Sequence, residues 1–282
     1  MVGKNGLVRA GLLAAALMMV SSLGTAQQPT REQLMLPPLP ADWSPTPQGG
    51  IFGRSAPGVS TASPLAFGPN WGDLFFGGGY QATTRNGGGD DGSLSGGFGL
   101  GNSQTAVGLE VVLVSASTVR SGLFERTMAS VKAHKALPGN SAIAFGFEGI
   151  ELNGETGADP NWFAVASRVV ALRNGGDEAT LFSQATLNIG AGNGRFCQAE
   201  EVLTDVFATK DCGVNVFASA GVRANKYIGL IADYTGQDIN LGVSLAPFPK
   251  FPIVITPALV DVAGMANKEM RFTLGAGIGM RF

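Results

Sequence analysis

The sequence predicts an all-β protein: a transmembrane, antiparallel, up-and-down β-barrel of about twelve strands, preceded by a signal peptide and an irregular proline-rich segment. The chain ends Phe272-Thr-Leu-Gly-Ala-Gly-Ile-Gly-Met-Arg-Phe282, apolar at every second position and aromatic at the last. Successive side chains on a strand point to opposite faces, so Phe272, Leu274, Ala276, Ile278, Met280 and Phe282 share one apolar face, with Thr273, three glycines and Arg281 opposite. Such a strand suits a wall with lipid outside and polar groups inside. Glycine, at 42 of 282 residues, is about twice the usual share, and charged residues at 14% fall well below the usual quarter. Both shifts suit tightly twisting strands with one face in lipid. The third observation is an export signal.

That signal occupies residues 1–26. Lys4 and Arg9 precede an apolar stretch from Ala10 to Val20, and Gly24 and Ala26 supply small residues for cleavage after Ala26. The stretch is shorter than the roughly 20 residues of a spanning helix, and no later segment is long and apolar enough for one. Residues 27–70 hold nine of the fifteen prolines and read as an irregular periplasmic lead-in. A segment that docks on a partner or plugs the barrel is the functional alternative.

From Trp71 onward, alternating segments are separated by turn clusters such as Asn86-Gly-Gly-Gly-Asp90 and Asn174-Gly-Gly-Asp177. They predict strands over 72–85, 92–101, 104–117, 121–136, 141–150, 161–173, 179–191, 213–224, 226–235, 238–247, 252–263 and 270–282. Twelve is an even number, as single-chain bacterial barrels have; eight or ten remain open if weak segments fold into loops. Parity then sends the long connection 192–212 outward. The two cysteines, Cys197 and Cys212, lie in it, and export favours a disulfide between them as a loop staple. Val202, Leu203, Val206 and Phe207 recur at helical spacing, as in a short helix capping the mouth or a solvated turn. Trp71, Phe75, Phe76, Trp162, Phe163, Tyr234 and Phe282 fall at predicted strand ends, where interfacial aromatic girdles form.

Alternation also assigns the interior. Glu110, Arg126, Lys132, Glu148, Arg168, Arg223, Asp233 and Arg281 are the charged candidates for the lumen, accompanied by His134, Gln184, Asn188, Asn215, Asn240 and Ser244. Five fixed cations against three carboxylates make the interior mildly positive, which favours anionic solutes if the lumen is open. If it is narrow, the same charges pair across strands and fill it.

Other chemistries find little support. The net charge of −2 gives no reason to expect nucleic acid. The single histidine, His134, lacks a nucleophile motif and is no basis for catalysis or, with two cysteines, for a zinc site. The glycine-rich Gly97-Phe-Gly-Leu-Gly101 and Gly275-Ala-Gly-Ile-Gly279 lack the spacing and the strand–helix context of a phosphate loop. No cofactor is expected.

The segments Ser63-Pro-Leu-Ala-Phe-Gly68, Gly97-Phe-Gly-Leu-Gly101 with Ala106-Val-Gly-Leu-Glu110, Asn193-Gly-Arg-Phe196, Ala232-Asp-Tyr-Thr-Gly-Gln-Asp238 and Val254-Ile-Thr-Pro-Ala258 resemble a family of uncharacterised, porin-like outer-membrane β-barrel proteins of cyanobacterial type. The resemblance runs from about residue 63 to the end. It implies a barrel in the bacterial outer membrane and an assembly machinery that reads the terminal aromatic strand, with Phe282 as the signal. It brings no assigned activity and no functional residues, and the paired cysteines and proline-rich lead-in depart from it. The expected function is porin-like passage of small solutes with a weak anion preference and no enzymatic step. A closed structural or surface-interaction barrel is the alternative, and a soluble exported β-sandwich a third.

Overall fold

A computed structural model describes residues 57–84, 89–154, 160–172, 181–197, 213–248, 251–265 and 269–282. Apart from one 3₁₀ turn, the regular structure of the described residues is all strand: β1 (Asp73–Gln81), β2 (Asp91–Gly101), β3 (Gly108–Ser115), β4 (Thr127–Leu137), β5 (Ser141–Asn153), β6 (Asn161–Ala171), β7 (Gln184–Gly192), β8 (Asn215–Arg223), β9 (Ile228–Tyr234), β10 (Ile239–Leu245), β11 (Ile253–Val260) and β12 (Arg271–Arg281). Each strand pairs antiparallel with its sequence neighbours, and β12 returns to pair with β1, closing the cylinder. All twelve predicted strands are present.

Closure follows from the alternation. The predicted apolar face of β12 points outward, as do Phe76, Leu94, Leu113, Phe145, Leu187, Ile189 and Leu241 on other strands. A spanning structure must satisfy every backbone donor and acceptor internally, and a closed sheet with an apolar outer band does so. The chain is thus a transmembrane barrel of the bacterial outer-membrane kind. The longest connection, from Asn193 to Val214, lies at the end opposite Trp71 and Phe282, and that end is taken as the outer one, because such barrels have short periplasmic turns.

The interior is packed. One apolar cluster joins Phe75, Val112, Val114, Ala116 and Met128; another joins Ala66, Ala142, Ala144, Phe163, Val165, Phe196 and Phe217. Three of the large rings sit opposite a glycine in register: Phe75 faces Gly97, Phe163 faces Gly146 and Phe217 faces Gly190. A Cβ at any of these glycines would collide with the ring. Part of the glycine excess therefore makes room for aromatic filling. It also corrects two girdle expectations, since Phe75 and Phe163 are buried inside, whereas Trp71, Phe76 and Phe282 face outward.

One further departure concerns residues 27–70, expected as a periplasmic lead-in with a docking or plugging segment as the alternative. Residues 27–56 lie outside the described residues, as does the signal segment 1–26. Residues 57–70 are inside the barrel, with Ser60, Ser63, Leu65 and Ala66 fully buried. Proline content correctly indicated irregular backbone, but irregular backbone is tolerated at membrane depth where wall side chains satisfy its polar groups.

Candidate functional site

The course of residues 57–70 through the lumen can be followed from their partners on the wall. Near the periplasmic rim, the Gly58 amide donates to Ser244 Oγ at 2.6 Å. The segment climbs to Asp233, close to the outer end of β9, and reverses there. Descending, the Ala66 amide donates to Ser167 Oγ at 2.8 Å, Lys132 Nζ donates to the Phe67 carbonyl at 3.0 Å, and His134 Nε2 lies 2.9 Å from the Pro69 carbonyl. Asn70 then meets β2 and the β2–β3 turn, its Oδ1 accepting from the Ser103 amide at 2.6 Å.

Asp233 is the centre of this seat and is 2% exposed. Its Oδ2 accepts from Ser60 Oγ at 2.8 Å, from the Thr61, Ala62 and Ser63 amides at 3.0, 2.8 and 3.0 Å, and from Thr61 Oγ1 at 3.1 Å. Oδ1 accepts from Ser63 Oγ. Three successive amides turned onto one carboxylate form an anion-binding concavity of the nest type. Here the anion belongs to the wall and the nest to the inserted segment. Ser60 Oγ also lies 2.7 Å from the Ser63 carbonyl, so its one proton is shared between that oxygen and Asp233.

Two wall glycines permit the approach. A Cβ at Gly221 would stand 2.7 Å from the Val59 backbone, and one at Gly242 would stand 2.5 Å from the Thr61 methyl. Above the tip, a 3₁₀ turn at Gly194–Phe196 folds into the outer mouth. Phe196 stacks on Phe217 at 4.4 Å between centroids, and the Arg195 guanidinium lies over the Phe196 ring. Arg195 Nε donates to Glu148 Oε2 at 2.5 Å, and its NH1 reaches the Ala62 carbonyl at 3.3 Å. Glu148 is aimed there by a bulge in β5, where Gly149 takes φ +75 and the register against β4 slips by one residue. Gln237 Nε2 donates to the Arg195 carbonyl at 2.8 Å, and Asn215 Nδ2 to the Phe196 carbonyl at 3.0 Å.

Of the charged residues predicted for the lumen, Glu110, Lys132, Glu148, Asp233 and Arg281 face inward. Lys132 Nζ and Glu110 Oε2 pair at 2.7 Å, and Arg281 Nε pairs with Asp73 Oδ1 at 2.6 Å at the periplasmic rim. Arg223 ends β8 on the inward parity at the same rim. Asn188, Asn240, Ser244 and His134 are buried in the interior as predicted, with Gln184 and Asn215 half-buried on the same parity.

Two assignments fail. Arg168 is exposed and faces outward, because β6 turns Phe163, Val165, Ser167 and Val169 inward and pairs Arg168 with the outward Leu187. It lies near the periplasmic end of β6, where a long basic side chain can reach the head-group level. Arg126 precedes β4, which begins at Thr127 and not at 121, so it belongs to the outer connection. Cys197 follows the 3₁₀ turn and is not a free thiol. Cys212 and the predicted helical spacing at 202–207 lie outside the described residues.

Sequence reasoning missed six buried charges: Asp73, Asp91, Arg195, Asp238, Asp261 and Arg271. Alternation running back from Arg281 reaches Arg271, whose NH2 lies 3.4 Å from Asp238 Oδ2, so that signal was present. Arg195 sits in a loop, where alternation carries no information. With these included, the described interior holds Asp73, Asp91, Glu110, Glu148, Asp233, Asp238 and Asp261 against Lys132, Arg195, Arg223, Arg271 and Arg281. The positive excess behind the anion preference is gone.

No family model matches the chain, and no curated protein matches it. Among solved structures, the Acinetobacter baumannii outer membrane protein Omp33 aligns with 74% of this chain and 98% of its own, at 9% identity and a TM-score of 0.35. That likeness is too loose to carry argument, so the barrel reading rests on this chain's own closure, apolar band and interior. The resemblance to the cyanobacterial-type family rests on the quoted segments alone.

Proposed function

We propose that this protein is an outer-membrane barrel that keeps its own solute path shut, with residues 57–70 as the interior occupant. Porin-like passage of small solutes belongs to states in which that segment has left its seat. The observation that supports this is the Asp233 seat: it is made of polar groups that remain compatible with water once the segment departs. No catalytic role is assigned. The partners in this reading are outer-membrane lipid around the wall, the assembly machinery at Phe282, and small solutes without a strong charge preference. A Cys197–Cys212 staple would hold the outer connection over the mouth.

A second reading, a closed structural or surface-interaction barrel, is favoured by Phe196, stacked on Phe217 and met edge-on by Phe163, three rings that fill the outer half of the lumen with apolar side chains. Planar-bilayer recording separates the two. The full chain should be closed most of the time with brief openings, and a chain lacking residues 57–66 should open far more often. Equal, steady steps from both proteins would show that the segment does not govern the path. Silence from both, with folded protein in the bilayer, would favour the closed structural barrel.

A further inference from the structure

We propose that the outer mouth of the barrel binds a hard cation of the calcium type on Asp91 and Gln81. Asp91 opens β2 and Gln81 ends β1; they are register partners, and both face inward at the outer end. Directly opposed residues of an antiparallel pair hold their Cβ atoms about 5 Å apart, so the two side chains share one space.

Both are withdrawn from water, at 2% exposed for Asp91 and 5% for Gln81. Among the described residues, Asp91 Oδ1 accepts only from the next residue's amide, Gly92, at 2.8 Å. Among the described residues, Asp91 Oδ2 and Gln81 Oε1 accept nothing, and the fully buried Thr84 hydroxyl, three residues beyond Gln81, is equally without a partner. The other buried carboxylates of the interior are engaged: Glu110 with Lys132, Glu148 with Arg195, Asp238 with Arg271, Asp73 with Arg281, Asp233 with the inserted segment, and Asp261 with the Met265 amide. Two groups of the same mouth bond Asp90 instead. Tyr80 donates to Asp90 Oδ2, and Arg120 Nε donates to the Asp90 carbonyl.

An ionised carboxylate removed from water needs a positive partner. What stands across the strand pair from Asp91 is the Gln81 amide oxygen, with the Thr84 hydroxyl three residues further along the chain. Carboxylate, amide and hydroxyl oxygens, completed by water, are the ligands that calcium and magnesium take and that softer metals decline. Among the described residues no group of three His, Cys, Asp or Glu could hold a metal, so the site rests on one formal charge and two neutral oxygens. A low ligand charge implies weak binding, with a dissociation constant of about 0.1 to 1 mM, the range of extracellular calcium modules.

The test uses the full chain refolded in detergent micelles, with CaCl₂ as the probe. After EDTA treatment, titration to about twenty times the dissociation constant should raise the folding equilibrium roughly twenty-fold. This is read as a saturable rise in the temperature at which folded, heat-modifiable migration is lost. Asp91→Asn should abolish the rise, Gln81→Met should weaken it several-fold, and Asp90→Asn should leave it intact. If Asp91→Asn does not fold, calorimetric titration of the natural chain should still give one site per barrel. No calcium-dependent rise, an equal rise in Asp91→Asn, or no one-to-one calorimetric site would overturn the proposal. None of these readouts requires the barrel to conduct.

Discussion

Replacing Asp233 by alanine should unseat the interior segment while leaving the wall intact. The Thr61, Ala62 and Ser63 amides and the Ser60 and Ser63 hydroxyls all converge on that carboxylate, so the substitution strands several buried donors together. A hydrogen bond to a charged group contributes about 1.5 to 3 kcal/mol, but bonds that share one acceptor do not add. Stranded neutral donors cost about 1 to 3 kcal/mol each when buried, and a combined loss of about 4 kcal/mol corresponds to a shift on the order of 10³-fold in the seated-to-unseated ratio. The strand pairing of Asp233 with Asn240 and Ser219 runs through the backbone and survives. Ala62→Cys, a buried tip position, serves as reporter under a water-soluble maleimide. When the seat recloses faster than the reagent attacks, labelling tracks the unseated population, so Asp233→Ala should accelerate it by up to that factor. Asp233→Asn, which keeps one acceptor oxygen, should fall between. Equal protection of Ala62→Cys with and without Asp233, in folded barrels, would refute the reasoning.

Gly221→Val should act from the other side of the same contact, since its Cβ would stand 2.7 Å from the Val59 backbone, and should likewise raise labelling at position 62. Glu110→Leu or Lys132→Met alone leaves a buried charge without its partner and should lower stability by about 3 to 5 kcal/mol in urea titrations of the protein in vesicles; the double substitution should recover most of that loss. Phe282→Asp should cut the amount of inserted barrel in membrane fractions, because Phe282 is 74% exposed on the outer face and packs edge-on against Trp71 at 6.3 Å. Normal membrane levels of that variant would remove Phe282 as the assembly signal. Arg281→Glu should lower stability by setting a carboxylate against Asp73, and adding Asp73→Arg should restore part of it.

The wall was legible because a period of two is imposed twice, by lipid outside and polar groups inside. That is why Glu110, Asp233 and Arg281 could be placed from alternation alone, whereas the face of β4, and so of Lys132, stayed ambiguous. The rule broke at Arg168, where charge was taken as a sign of the inner face although a basic residue near a rim can equally reach outward. It broke at Arg126 because polar loop residues continue an alternating pattern by chance, and only the pairing of Thr127 with Ser115 fixes where β4 starts. Asp91 was lost to a boundary one residue short. The occupied lumen was the least legible feature. Proline content identifies a chain that cannot join a sheet, but says nothing about where it rests. The complementary marks, Gly221 and Gly242 on the wall, look like any other strand glycine until Val59 and Thr61 are seen against them. Glycine opposite an aromatic, as in Phe75 with Gly97, was a usable sign of a filled interior.

The central claim is that residues 57–70 sit inside the wall, and a designed cross-link tests it most directly. A Cβ at Gly58 would lie 3.7 Å from Ser244 Cβ, within the separation of about 3.5 to 4.5 Å that a disulfide spans. A full chain carrying Gly58→Cys and Ser244→Cys, folded in lipid and mildly oxidised, should join the two positions in near-quantitative yield, read as a linked peptide pair by mass spectrometry. A folded barrel in which both new thiols stay free and react with alkylating reagent would contradict the account.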